Sequence, residues 1–91
     1  MAVLVKIPTQ LRAAAGGEAE AEVDGATVQE VLDGLFQRHD ELRTRLYDDQ
    51  GGLRRFVNVY VAGEAIRFLD GLATPVSDGA EVTILPAVAG G

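Results

Sequence analysis

Val3, Val5 and Ile7 alternate with Ala2, Leu4 and Lys6. That period of two predicts a strand with one face turned inward. Pro8-Thr9 ends it, because proline has no N–H with which to continue a ladder. Residues 13–17 read as a loop, with Gly16-Gly17 as its turn. Glu18-Ala19-Glu20-Ala21-Glu22-Val23 then alternates strictly and predicts a second strand. It would pair with the first as a hairpin and hold its glutamates in water at a sheet edge.

Asp24-Gly25-Ala26 turns the chain into its clearest helix. Thr27 and Glu30 have the spacing of a capping box, in which two side chains satisfy free N–H groups of the first turn. Val28, Val31, Leu32, Leu35 and Phe36 follow as one apolar stripe. The stripe predicts an amphipathic helix of about three turns, ending near His39. Leu42 and Leu46 continue the rhythm into a second short helical turn, and residues 48–52 form a polar loop.

Phe56-Val57-Asn58-Val59-Tyr60-Val61 is β-branched and aromatic, as a strand requires. Ala62-Gly63-Glu64 turns it, and Ala65-Ile66-Arg67-Phe68 reads as its short hairpin partner. Residues 69–76 look irregular, Ser77-Asp78-Gly79 is a tight turn, and Glu81-Val82-Thr83-Ile84-Leu85 is the last strand. The expected architecture is α+β: a β-grasp (ubiquitin-like) fold, with a four- to five-stranded mixed sheet and one main helix packed on one face. The helix should cover Val3, Val5, Ile7, Val57, Val59, Val61, Val82 and Ile84. The other face would carry Leu4, Lys6, Asn58, Tyr60, Thr83 and Leu85, with no helix predicted over it. Residues 1–85 would form this domain, and residues 86–91 a flexible tail ending in Gly-Gly.

Composition removes most chemistry from this frame. The chain has 91 residues, enough for a single thin core and too few for a deep enclosed cavity. It has no Cys and one His, which excludes disulfides, thiolate nucleophiles, cysteine-ligated zinc and iron–sulfur clusters. A net charge of −6 repels phosphate backbones and anionic lipid, so no nucleic acid and no membrane partner is expected. The opening residues lack the order of a signal peptide and no apolar run is long enough to span a bilayer, which points to the cytoplasm.

Candidate side chains fare no better, and no catalytic or metal-binding residue is expected. His39 sits at a helix end before Asp40, where a cation suits the helix dipole, with no ligand or nucleophile at useful spacing. Ser77 lies in a turn without the glycine-flanked elbow of a nucleophile. Glu18, Glu20 and Glu22 read as a solvated edge rather than a cation site. Neither Gly-Gly pair precedes the Lys-Ser/Thr of a phosphate loop, and Arg54-Arg55 reads as a solvated basic pair. The C-terminus stands out instead. After Pro86 come Ala87, Val88, Ala89, Gly90 and Gly91, all small and uncharged. Such a segment can thread a narrow channel, and a terminal Gly-Gly lets an enzyme's backbone approach the carboxylate closely.

The predicted fold with a terminal Gly90-Gly91 resembles the ubiquitin-like sulfur carriers of the ThiS/MoaD family. Within it, the chain is similar to the carriers of actinobacterial cysteine biosynthesis. The likeness rests on Ile7-Pro8-Thr9 with Leu11-Arg12 and Gly16-Gly17, on residues 56–61, on Arg67-Phe68, on residues 71–74, on Asp78-Gly79 and on residues 82–91. The resemblance implies a carrier that is a co-substrate rather than an enzyme. It binds no cofactor itself; an E1-like (MoeB/ThiF-type) activating enzyme uses ATP to adenylate the Gly91 carboxylate. A sulfur donor then displaces AMP to leave a thiocarboxylate, which a PLP-dependent cysteine synthase accepts and from which a metalloprotease releases cysteine. Ala87, Val88, Ala89 and Gly90 would thread the partner's active site. From the residues themselves, Leu4, Tyr60 and Leu85 are the apolar members of the uncovered sheet face and the expected docking contacts. Conjugation to other proteins through Gly91, or service as the small subunit of molybdopterin synthase, are the alternatives.

Overall fold

The computed structural model describes residues 2–54 and 57–86. Its strands are β1 (Val3–Lys6), β2 (Glu20–Val23), β3 (Val57–Val61), β4 (Glu64–Ala65) and β5 (Glu81–Pro86). Two helices, α1 (Val28–Arg38) and α2 (Asp40–Leu46), lie between β2 and β3. The strands form one five-stranded mixed sheet in the order β2-β1-β5-β3-β4. β1 runs antiparallel to β2 and parallel to β5, while β5 and β4 both run antiparallel to β3. The last strand therefore lies in the middle of the sheet, held on both sides by backbone hydrogen bonds.

The apolar alternation decides which face is covered. Val3, Val5, Ile7, Val57, Val59, Val82 and Ile84 are all buried, and Val61 packs against them partly buried. The stripe Val28, Val31, Leu32, Leu35 and Phe36 of α1 is buried against them. The α1 start is capped as its sequence predicts, with Thr27 Oγ1 accepting from the Glu30 N–H at 3.3 Å. The reciprocal bond reaches one residue further out, from the Ala26 N–H to Glu30 Oε1 at 3.0 Å. Gly34 faces β2 so closely that a β-carbon there would stand 2.6 Å from Val23 Cγ1.

Four segments depart from the sequence-based expectation. The β1–β2 connection is a 3-10 helix, Thr9–Ala15, rather than a loop. Leu11, Ala14 and Ala15 recur at helical spacing, are buried, and pack beside α2; Gly16, at φ 67°, ends the turn. β2 is shorter than its alternation, starting at Glu20 rather than Glu18. β4 spans only Glu64–Ala65, and residues Ile66–Phe68 form a 3-10 turn. Alternation would put Ile66 and Phe68 on one face, whereas the turn buries Ile66 and leaves Phe68 outside. Finally, the segment expected to be irregular contains a 3-10 turn, Gly71–Ala73, and straps the start of α1. Thr74 O accepts from Val28 N at 3.0 Å, and Val76 N donates to Ala26 O at 2.9 Å. The first bond satisfies an N–H of the opening helical turn that the helix cannot satisfy internally, and the second holds the residue before the cap.

Candidate functional site

β5 delivers the chain towards Gly91. It runs one residue beyond the predicted Leu85, because Pro86 remains opposite Val57 in the ladder. Pairing on both sides, with Val82 and Ile84 buried in the core, fixes the point from which the tail departs. Ala87, Val88, Ala89, Gly90 and Gly91, the residues expected to thread a partner and carry the chemistry, lie outside the described residues.

The docking candidates share one face. The register sets Leu4 opposite Glu81, Tyr60 opposite Thr83 and Leu85 opposite Asn58. All six therefore point away from the buried face, since successive strand residues alternate sides. Tyr60 and Leu85 are diagonal neighbours across β3 and β5, within reach of one another. Leu4 stands apart from them. It is flanked by Glu22 and Glu81 in the neighbouring strands, and Lys6 Nζ lies 3.6 Å from Glu81 Oε2 beside it. Leu85 is 46% exposed, whereas Leu4 and Tyr60 are half-buried.

Among the described residues, the largest exposed apolar group lies beyond β4. Phe68 is 80% exposed, with the Arg67 guanidinium 5.7 Å from its ring centroid. Arg67 also donates to Asn58 Oδ1, the side chain opposite Leu85. Leu85, Asn58, Arg67 and Phe68 thus form a continuous run from the end of β5 to the turn after β4. Reading Phe68 as a strand residue hides this; an Arg-Phe-Leu triplet that breaks alternation after a two-residue turn is the signal that it leaves the sheet.

The residues set aside on chemical grounds have structural places. His39 joins α1 to α2, with Nε2 3.1 Å from Glu18 Oε1. Ser77 O accepts from Ala80 N at 2.9 Å in its turn. Among the described residues, no group of three or more His, Cys, Asp or Glu could hold a metal ion, and no helix is long and apolar enough to cross a membrane. Among the described residues, Tyr47 is the one titratable group moved far from its ordinary value. Burial pushes its phenol up to about 12, Asp33 adds to the shift and Arg43 opposes it. Its ring meets Phe36 edge-on at 4.9 Å, and its buried hydroxyl has no hydrogen-bond partner in the structure. Its perturbation belongs to the core, away from the end of β5.

A short mixed sheet with a helix across one face, and a central last strand leading to Gly-Gly, defines a ubiquitin-like β-grasp protein. The sequence pattern of the ThiS family matches residues 5–91, and the chain belongs to that family. It is 47% identical to the sulfur carrier protein CysO of Mycobacterium tuberculosis over 93 residues, covering 100% of both chains. A chain in the crystal structure of the Amycolatopsis orientalis BexX/CysO complex superposes with a TM-score of 0.90 at 50% identity, covering 98% of this chain and 99% of that one. Small archaeal modifier protein 3 of Haloferax volcanii is 44% identical over 68 residues, 75% of this chain and 73% of the relative. The protein is thus a homologue of CysO, among small ubiquitin-like sulfur carriers.

Proposed function

We propose that this chain carries sulfur on its C-terminal carboxylate. The observation that carries the reading is full-length similarity to a sulfur carrier, with the family match running through Gly91. A free carboxylate resists nucleophiles because it lacks a leaving group. An E1-like enzyme removes that obstacle: a Gly91 oxygen attacks the α-phosphorus of ATP, pyrophosphate leaves, and an acyl-adenylate forms. A sulfide-class donor then attacks the carbonyl carbon, the C–O bond to AMP breaks, and AMP leaves with the electron pair. The product is a thiocarboxylate, held on a macromolecule rather than diffusing as free sulfide.

The chain supplies no acid, base or metal to these steps. Its part is to present the terminus at a defined distance from a rigid sheet, with Tyr60, Leu85 and the neighbouring Arg67 and Phe68 as the contact surface beside the tail's origin. Leu4 lies at the far end of β5 and contributes a peripheral contact. The acceptor in this reading is a PLP-dependent cysteine synthase, with a metalloprotease freeing the product, in the cytoplasm. That the A. orientalis relative crystallised with BexX supports partner docking as the mode of action.

Intact-mass analysis tests the proposal. The full chain is incubated with ATP, a sulfide source and the activating enzyme of its host. Replacement of one oxygen by sulfur, mapped to Gly91, is expected. Its absence, with an activating enzyme shown to adenylate another carrier, overturns the reading. The second reading, conjugation through Gly91 to lysines of other proteins, is favoured by the likeness to small archaeal modifier protein 3. Isopeptide-linked Gly91 in tryptic digests of host proteins would establish it.

A further inference from the structure

Beside the first half of β3 lies a depression that none of the preceding chemistry uses. β4 pairs only with Tyr60 and Val61. Among the described residues, the β3 edge at residues 57–59 therefore has no neighbouring strand. A cavity of about 290 Å³ occupies that place, with Leu53, Val57, Ile66 and Leu72 as its main apolar lining. Among the described residues, its charged lining consists of Arg54 and Arg67. That is unusual in a chain with 14 acidic residues against 8 basic ones. Among the described residues, neither arginine forms a salt bridge, although Arg54 also borders a neighbouring depression that Asp48 and Asp49 line. Arg54 Nε donates to Thr44 O at 3.0 Å, and Arg67 donates to the Asn58 amide oxygen and lies over Phe68. An apolar hollow with two guanidinium groups suits a short apolar segment ending in an anion.

We propose that the occupant is the chain's own C-terminus, residues 87–91, with Val88 in the apolar hollow and the Gly91 carboxylate on Arg54 and Arg67. Length and starting point both fit. Pro86 is opposite Val57, which lines the cavity itself, so the tail starts about one strand spacing, ~5 Å, from the hollow. Five residues reach ~16 Å when extended, enough to pass the start of β3 and place the carboxylate at the arginines. The segment carries no charge except its terminal carboxylate, so its electrostatics match the cavity's without a competing group.

Tethering makes a weak contact count. An exposed guanidinium–carboxylate pair is weak by itself, but a short linker holds the segment at an effective concentration in the millimolar range. The tail then exchanges between a latched form and a free one, and any partner that threads it competes with the latch. This holds whether or not Gly91 carries sulfur.

The test is NMR on the isotopically labelled full chain. Expected are NOEs from the Val88 methyls to those of Ile66 and Leu72, loss of these NOEs in the double variant Arg54→Glu/Arg67→Glu, and shifts of the Ile66 and Leu72 methyls when residues 87–91 are deleted. Resonances of β1 and α1 report that each variant is folded, and Leu72→Asp offers a second way to abolish the contact. Random-coil shifts for residues 87–91, with Ile66 and Leu72 methyls unmoved by the deletion, overturn the proposal. So do NOEs that grow with protein concentration, which would place a second copy's tail in the hollow. Because no activating enzyme is present, this outcome is independent of the sulfur-transfer assay.

Discussion

Phe36 and Phe68 mark two regions of the molecule built by opposite rules. Phe36, on the inner face of α1, is 1% exposed and meets the Tyr47 ring edge-on; Phe68 is 80% exposed, with the Arg67 guanidinium over its ring. Around Phe36, apolar positions on α1, α2 and four strands (β1, β2, β3 and β5) converge into one core. Around Phe68, the chain leaves the sheet after a two-residue strand and puts its bulkiest apolar group into water. Removing apolar surface from water stabilises a fold, so an exposed aromatic contributes little to folding. The α1 side carries the buried core, and the end near Pro86 is where partner docking is proposed.

Substitutions that should affect one region and spare the other sharpen this contrast. The largest effect is expected for Phe36→Ala, which empties a packed site and should cost about 3–5 kcal/mol in denaturant unfolding. An equal loss from Phe68→Ala would erase the distinction. Gly34→Ala comes next. Alanine normally favours a helix interior over glycine by about 1 kcal/mol, but the added carbon would meet Val23 Cγ1 at 2.6 Å. Overpacking against a buried strand should outweigh propensity and destabilise by about 1–3 kcal/mol. A raised melting temperature in this variant would show that Val23 can move aside.

Tyr47 supplies a pH-dependent comparison within the core. Its phenol titrates at about 12 when folded, against an ordinary 10.0. Between those values the native state binds more protons than the unfolded state, so stability falls as pH rises through that window. The loss should approach about 2 kcal/mol by the upper end. Tyr47→Phe should abolish that component of the slope. At neutral pH it should be neutral or slightly stabilising, since it removes a buried hydroxyl that has no partner. Unfolding curves of both proteins across the alkaline range decide this. Smallest in stability is Phe68→Ala, expected within about 0.5 kcal/mol of the parent. Its effect should appear in binding, as an affinity for the proposed activating enzyme weakened about tenfold by titration calorimetry.

What could be read from the chain follows the same division. The α1 stripe, the Thr27 cap and the inward residues of β1, β3 and β5 were legible because each is a local period or a short-range motif. The 3-10 helix Thr9–Ala15 was hidden by its small residues: Ala14 and Ala15 are buried beneath α2, but alanine gives little hydrophobic contrast in a sequence. The strap formed by Thr74 and Val76 was invisible because its partners, Val28 and Ala26, lie some fifty residues earlier in the chain. Leu4 illustrates the same limit at the candidate site. Its alternation places it on the outer face, while its distance from Leu85 follows from strand order and register.

By itself the sequence determined α1, the main strands and the side of each strand that is buried, and it raised the Gly-Gly segment as the expected place for chemistry. These depend on residue type and on spacing along one segment. Only the tertiary structure decided that β5 lies between β1 and β3, that β4 stops after two residues, and that the uncovered edge of β3 becomes a cavity charged by Arg54 and Arg67. Those features arise from pairing between distant segments, where register and packing choose among arrangements that the local pattern leaves equal.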